Sequence, residues 1–534
     1  MSLVLLFDRR HTDQTLINSF KDFFAADNPV TGGEVLMRWG NPKGSDKNAG
    51  VVLNRKQPLE NCLDKEKILE ILRINKIRRP VFVTPKPDSR YPVIGRHFES
   101  HQAQQSQIIG DFEEAQKSGA DFFVEHVNLI KKYKLLLFDL NVFNMTKKVA
   151  VQSNTGVPCG WNYEEILPEL DQDAQKVSQL ALRAVYVLGL DFAMVHGGID
   201  VRGRPVILDV SPTPVLNAET ATLFHEQLKS FLNSPVFPLL LQPLPKKETD
   251  PQTQVHPLQT TMFIEQKPSQ SSEFAVLLGA DPEFVLKDSR TGKLTYPSEY
   301  LAKEGNLGYD ERSELRQGQF FPLAEIRPNP EYCPVQLTEN IRSILIQALA
   351  IIPPHIEWLA GSLHFGQYQI GGHIHFSNLK LNSRLLRALD NYLAIPIFLI
   401  EDPRTSATRR RQYGWIGSVR SKPHGGFEYR TPGSWLVSPE ITLGCLCLAK
   451  IIASEYWLLR KDFFTDPELQ KAFYKSKRMC FYEIFNKLWE DLVQTTLYKK
   501  YARHLTPITD LINTGSHWDE HRDLRKSWRL LPSE

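Results

Sequence analysis

The stretch GGHIHFS, residues 371–377, places His373 and His375 two apart. Strand alternation sends both imidazoles to one face and Ile374 and Phe376 to the other. Three more stretches repeat the pattern. In GADPEF, Asp281 and Glu283 lie opposite Pro282 and Phe284; in LAEIRP, Glu325 and Arg327 lie opposite Ala324 and Ile326; in FEYR, Glu428 and Arg430 lie opposite Phe427 and Tyr429. One such strand is an ordinary solvated sheet face, and a pair of neutral core histidines is equally ordinary. Four strands that combine acids, imidazoles and guanidiniums predict a single sheet whose polar face lines a cleft. Clustered carboxylates repel there unless cations compensate. Oxygen ligands with one or two imidazoles suit Mg2+ or Mn2+. Arginines grip phosphate through a fork of donors. Metal, arginine and carboxylate together are the equipment of phosphoryl transfer.

The chain that must position these groups has 534 residues, enough for roughly two to four domains. A proline-rich, weakly patterned stretch from Asn233 to Gln259 reads as a linker, because proline breaks helices and ladders alike. The expected division is residues 1–232, a linker over 233–272, and 273–534. In the first half SLVLLF, RRPVFVT, YPVIGR, ADFFVEHV, YKLLLFDLNVF, LDFAMVHGGID and RPVILDVSP read as strands, and CLDKEKILEILRINKI and DAQKVSQLALRAVYVLG as helices. The second half carries the four polar-faced strands among helices and turns mostly helical from about residue 439. The fold class expected is α+β or α/β with antiparallel sheets.

Net charge is +3, which argues against nucleic acid bound by bulk charge. Six cysteines show no CxxC spacing, as in a reducing, cytoplasmic setting. The opening MSLVLLFDRRHT lacks a basic start or a cleavage site. No run approaches about 18 uninterrupted apolar residues, so no membrane partner is expected.

The series GADPEF, AEIRPNP, GGHIHFS and RQYGWIGSVRSKPHGGFEYRTPGSW resembles the phage-type amidoligases, or carboxylate–amine ligases, of the glutamine-synthetase-like superfamily. The resemblance covers roughly residues 275–440, in the family's order. It implies that Glu283 with Asp281 nearby, Glu325, His373 and Glu428 are metal ligands and that Arg430 reaches the transferred phosphate. By the same resemblance Arg411 and Arg420 clamp phosphate or substrate. His375 is either a further ligand or structural, and Asp310 in GYDERSE is a looser match to a ligand or substrate contact. The implied reaction uses ATP with Mg2+ or Mn2+ to activate a carboxylate as an acyl phosphate, which an amine converts to an amide. The partners implied are small-molecule or peptide acids and amines, and the resemblance leaves room for a homo-oligomer.

A second resemblance begins from LGLDFAMVHGGIDVRGRPVILDVSPTP, residues 188–214. It is similar to the strand pair that ends the nucleotide site of ATP-grasp ligases. RWG at 38–40, DKEKILEIL at Lys65, YPVIGR ending at Arg96 and DFFVEHV with Glu125 precede it in ATP-grasp order. The resemblance implies that Lys65 and Arg96 face phosphates, that Glu125 holds adenine or ribose, and that Asp209 holds metal. The chain departs from the pattern at His196, where Asp is expected, at Asp209 for Glu, and at Ser211 for Asn. The segment HFESHQAQQSQIIG lacks the glycines of a phosphate flap. The favoured reading is an ATP-dependent amide-forming ligase centred on the second half. The alternatives are a two-metal hydrolase or phosphatase using the same face, and a non-catalytic peptide- or nucleotide-binding first half.

Overall fold

Four of the expected strands meet in one antiparallel sheet, and their register fixes the rest of the C-terminal half. The order is Leu307–Tyr309, Ala324–Ile326, Leu277–Asp288, Gly372–Ser377, Phe427–Tyr429 and Val419–Ser421. The later part of the long Leu277–Asp288 strand also pairs with Leu294–Thr295 and Ile356–Leu359. Pro282 stands opposite Gly372, the first residue of its partner strand. Proline is tolerated where a ladder ends, since no donor is missed there.

The computed structural model describes residues 2–7, 20, 34–40, 43, 49–97, 106–152, 158–242, 276–315, 319–423 and 425–531. The chain divides into two units, Met1–Pro243 with Phe464–Gln470, and Leu244–Phe463 with Lys471–Glu534.

The apolar face of the C-terminal sheet is the core side. Phe284, Ile326, Ile374, Phe376, Phe427 and Tyr429 are all buried, and the Phe376 and Phe427 rings stack at 5.0 Å. The Tyr429 hydroxyl donates to Asp390 Oδ1 at 2.7 Å, and the Gly417 amide donates to Asp390 Oδ2 at 2.7 Å. Beyond the sheet come the helices Pro439–Glu455, Pro467–Tyr474, Met479–Leu492, Thr496–Asn513 and Leu524–Ser527. The first starts at Ser438, whose side chain accepts the Ile441 amide, with Pro439 in its first turn. The segment Pro439–Leu458 is long and apolar enough to cross a membrane, but 72% of it is buried inside the fold. Lys450 within it donates to the Val276 carbonyl at 2.6 Å. It is built as a core helix.

Among the described residues the N-terminal unit holds three sheets. Ser2–Phe7, Glu34–Trp39 and Val51–Leu53 run parallel. Val93–Arg96 lies between Gln107–Ile109 and Phe122–Glu125, all antiparallel. A five-stranded antiparallel sheet has the order Pro205–Ser211, Phe192–Asp200, Leu129–Phe138, Asn141–Gln152 and Pro158–Glu165. The helix Gln172–Val187 buries Ala174, Val177, Ala181 and Ala184. A Cβ on Gly198 would collide with the Lys131 carbonyl of the neighbouring strand, which accounts for one glycine of HGG.

The mixed α/β architecture, the antiparallel sheets and the helical C-terminal region are as expected. Three details differ. RRPVFVT contributes only a bridge between Phe82 and Val124, and Pro80 is a physical reason for a broken ladder. The helix expected from Cys62 to Ile77 is instead the end of one helix, Lys56–Leu63, and a second, Lys65–Ile74, because Asp64 accepts the Glu66 and Lys67 amides and starts a new one. The expected linker opens on a short helix, Phe237–Leu241, with Pro238 in its first turn; its residues 243–272 lie outside the described residues, as do residues 98–105 of the expected flap.

Gly372 has no room for a side chain: an added Cβ would lie 2.5 Å from the Gly433 carbonyl and 2.5 Å from the Trp435 ring. Gly372→Ala should therefore destabilise the C-terminal unit by about 1–3 kcal/mol. Urea unfolding followed by tryptophan fluorescence measures it, and an unchanged midpoint would contradict this packing.

Candidate active site

Cross-strand pairing lines the predicted ionisable residues up on one face. Glu283 stands opposite Glu325, Asp281 opposite His373, His375 opposite Glu428, and Glu428 opposite Arg420. The side chains then meet directly. His373 Nδ1 is 3.2 Å from Asp281 Oδ1 and 3.4 Å from Glu428 Oε1, and His375 Nε2 is 3.1 Å from Asp281 Oδ2. Glu428 is also met by Lys422 Nζ at 2.6 Å, Arg430 Nε at 2.9 Å and Arg420 Nη1 at 3.5 Å.

Next to this cluster is a second group of acids. Glu283 accepts the Gly371 amide at 2.7 Å and lies 3.4 Å from Arg312. The Arg312 guanidinium also reaches Asp310 at 3.8 Å and stacks 4.7 Å over Tyr413. Glu325 pairs with Arg327 at 2.6 Å. A cavity of about 120 Å³ opens beside them, lined among others by Glu283, Arg312, His373, Arg409, Trp415 and Arg430.

The charge states divide. Burial and the nearby Asp281 push Glu428 up, but His373, Lys422 and Arg430 outweigh them and hold it below the usual range. Burial opposes ionisation of Asp281 too, yet His373 and His375 carry it well below the usual range. Burial raises Glu283 well above it; Arg312 compensates only in part, and the neighbouring Asp310 pushes it further up. Burial and the Asp281 charge push Glu325 up to about 8. The bases are unevenly placed: Glu428 is met by three, while Glu283 and Glu325 have one arginine each and burial holds them toward the protonated form.

A divalent cation fits that imbalance. Ligand atoms of Asp281, His375 and Glu428 all lie within 4.8 Å of one another. Asp281 Oδ1, Glu428 Oε1 and His375 Nε2 are buried without an aligned hydrogen bond. Two carboxylate oxygens and an imidazole suit Mg2+ or Mn2+.

Of the expected ligands, the geometry gathers Asp281 and Glu428 in this trio with His375. His373 bridges the same two acids, while Glu283 and Glu325 occupy adjoining positions engaged by arginines. Arg430 and Arg420 are at the cluster. Arg411 is not: it is exposed and lies outside the cavity lining. The helix Pro403–Arg409, capped by Asp402, instead buries Arg409, which donates to the Thr431 carbonyl at 2.8 Å. Arg312, Arg409 and Lys422 were not singled out from the sequence. Lys422 sits in a turn and Arg312 in a loop, where no periodicity marks a face; the proximity of Arg312 to Asp310 was the only available signal.

In the N-terminal unit, Lys65, Arg96, Glu125, His196 and Asp209 all line one cavity of about 350 Å³. Lys65, first residue of its helix, is placed by the Asp64 cap and donates to Asp209 Oδ1 at 2.8 Å and to the Val210 carbonyl at 3.0 Å. Arg96 donates to the Leu208 carbonyl at 3.0 Å, and Glu125 accepts the Val81 amide at 3.2 Å. The expectation of Asp209 as a metal ligand meets a different geometry. Its cross-strand partner is His196, and Ser211 turns to the Thr213 carbonyl at 3.2 Å, outside the cavity lining.

Because Glu325 and Glu283 hold protons that a cation would displace, Mn2+ binding at pH 7 should release protons. Glu325→Gln should cut the release by about one proton per ion. Calorimetry in buffers of different ionisation enthalpy reads this directly. Binding with no proton release would show that these acids do not face the ion.

Comparison with known proteins follows the same division. A comparison with curated proteins gave no match. Solved structures similar to this chain include D-alanine–D-alanine ligase from Bacillus anthracis, at 13% identity, covering 43% of this chain and 95% of that one with a TM-score of 0.32. The RimK domain protein ATP-grasp from Sphaerobacter thermophilus DSM 20745 is similar at 14% identity, covering 43% and 100% with a TM-score of 0.29. Macrocyclase MdnC from Microcystis aeruginosa MRC, bound with precursor peptide MdnA, is similar at 11% identity, covering 43% and 99% with a TM-score of 0.31. The polar-faced sheet lies within residues 278–530, and that segment matches the family described as phage phiEco32-like COOH.NH2 ligase-type 2, a carboxylate–amine ligase family as the four-strand series implied.

Proposed function

We propose that the C-terminal half catalyses ATP-dependent amide formation between a carboxylic acid and an amine through an acyl phosphate. The observation that carries this reading is the Asp281–His375–Glu428 trio ringed by Lys422, Arg420 and Arg430 beside an arginine-lined cavity. In the reaction, a substrate carboxylate oxygen attacks the γ-phosphorus of ATP and ADP leaves. The amine nitrogen then attacks the carbonyl carbon, the C–O bond to phosphate breaks, and the amine gives up a proton. A divalent cation held by Asp281, His375 and Glu428 supplies charge compensation for the transferred phosphoryl group. Arg430 and Arg312, both at the cavity, hold anionic oxygens. Arg409 positions the loop after Arg430 through its bond to Thr431. Ile370 and Trp415 wall the cavity, which limits the water that would hydrolyse an acyl phosphate.

The acid and amine in this reading are small molecules or peptides, and the segment around residues 243–272 joins a ligase half to an ATP-grasp-like half. A hydrolase using the same acids has no need of the five basic side chains that surround Glu428 and the cavity.

Glu428→Gln and Arg430→Ala should each abolish phosphate release from ATP in the presence of Mg2+ and pooled amino acids, a loss of at least about 100-fold. The helical signal in circular dichroism should be unchanged, since neither residue belongs to the apolar core. Near-normal release in both variants would remove these residues from the mechanism. Phosphate release from simple esters without ATP would favour the hydrolase.

A further inference from the structure

The N-terminal cavity carries the charge pattern of an anion site, not a metal site. Sheet register builds it. Asp209, His196, Lys134, Thr146 and Glu165 form one cross-strand row, of which the first three line the cavity, and Lys132, Lys148 and Tyr163 form the next. Five basic side chains, Lys65, Arg96, Lys132, Lys134 and Lys148, line the cavity against two carboxylates, Glu125 and Asp209. Lys132 stands directly opposite Lys148, so two of these like charges sit side by side on the cavity wall. Among the described residues Lys134 has no hydrogen bond or ion pair, and burial lowers its pKa. The Asp209 carboxylate is already neutralised by Lys65 at 2.8 Å. Its row partner His196 presents a buried Nε2 that lacks a hydrogen bond.

A Mg2+ ion prefers several hard oxygen ligands. Among the described residues this cavity offers it Asp209, bound to a lysine, and Glu125 on a separate sheet, among five basic side chains. The metal that ATP-grasp resemblance implies does not fit these residues.

We infer that this cavity holds a nucleoside polyphosphate without a divalent cation, with the lysines of the sheet doing the charge compensation and Ile94, Val124 and Leu208 facing the base. The first half is then a binding module for a polyanion, not a second metal-dependent ligase centre. The inference does not rest on the ligase reading of the C-terminal half.

The test is ATP binding to the full-length protein by calorimetry, in EDTA and then in excess Mg2+. One ATP per chain should bind in EDTA, and Mg2+ should leave the affinity unchanged or weaken it. Lys134→Ala and Lys132→Ala should each weaken binding in EDTA at least tenfold, while Arg430→Ala leaves it unaltered. Inorganic tripolyphosphate should bind the same site more weakly, with the same dependence on Lys134. Absence of binding in EDTA would overturn the inference. So would binding in EDTA that Arg430→Ala removes and Lys134→Ala does not. Tightening by Mg2+ that Asp209→Asn abolishes would restore the metal-dependent reading.

Discussion

Glu283 and Glu428 are each only 1% exposed, and a carboxylate buried that far must be neutralised where it stands or stay protonated. The C-terminal half uses both solutions on one sheet. Glu428 is met by an imidazole and three basic side chains, and it stays ionised. Glu283 has one guanidinium, one backbone amide and an acidic neighbour, and burial prevails. The first solution leaves a charged ligand ready for a cation. The second stores a proton that an incoming cation would release.

Neutralisation at this distance tolerates little movement, and buried acids behind the sheet restrict it. Asp390 ties Tyr429, on the core side of the Glu428 strand, to the Gly417 amide in the arginine-bearing loop. Glu401 pairs with Arg410 and accepts the Gly433 amide at 2.8 Å, fixing the loop that follows Arg430. Arg410 is held further between the Phe398 and Phe473 rings, at 4.9 and 4.4 Å. With Arg410 committed to the core, the helix turn brings Arg409 to the cavity and leaves Arg411 outside.

The polar face could be read from the sequence because its signal has the strand's own period. Each of the four stretches alternates ionisable and large apolar residues, and an apolar core accepts only one of the two registers. Gly372 then marks where the strand passes close to Trp435, and Gly371 where it passes the His373 ring. Residues outside regular elements gave no such period, so Lys422 and Arg312 could not be assigned a face. Arg411 was misplaced for the same reason: in RRRQ, only the helix boundary decides which arginine turns inward. The fold class was likewise legible, whereas the Asp64 break depends on a local cap and the Phe237–Leu241 helix on a proline in its first turn, signals that compete with the broader pattern.

The two halves present opposite versions of one construction, an antiparallel sheet with a buried apolar face and an ionisable face. In the C-terminal half, the bases gather on Glu428, and burial leaves Glu325 and Glu283, with one arginine each, retaining protons. In the N-terminal half, KKYK supplies Lys132 and Lys134 to the cavity face, and Asp209, the acid of their sheet that lines the cavity, is spent on Lys65. Electrostatics then decides what each face can take up. An acid-rich face gains most from a cation, whose charge permits the acids to ionise. A lysine-rich face gains most from a polyanion and would repel the free metal ion. Exchange of His196 for a carboxylate would move the second face toward the first, because a second acid beside Asp209 would outcompete a single lysine and restore an oxygen pair for an ion.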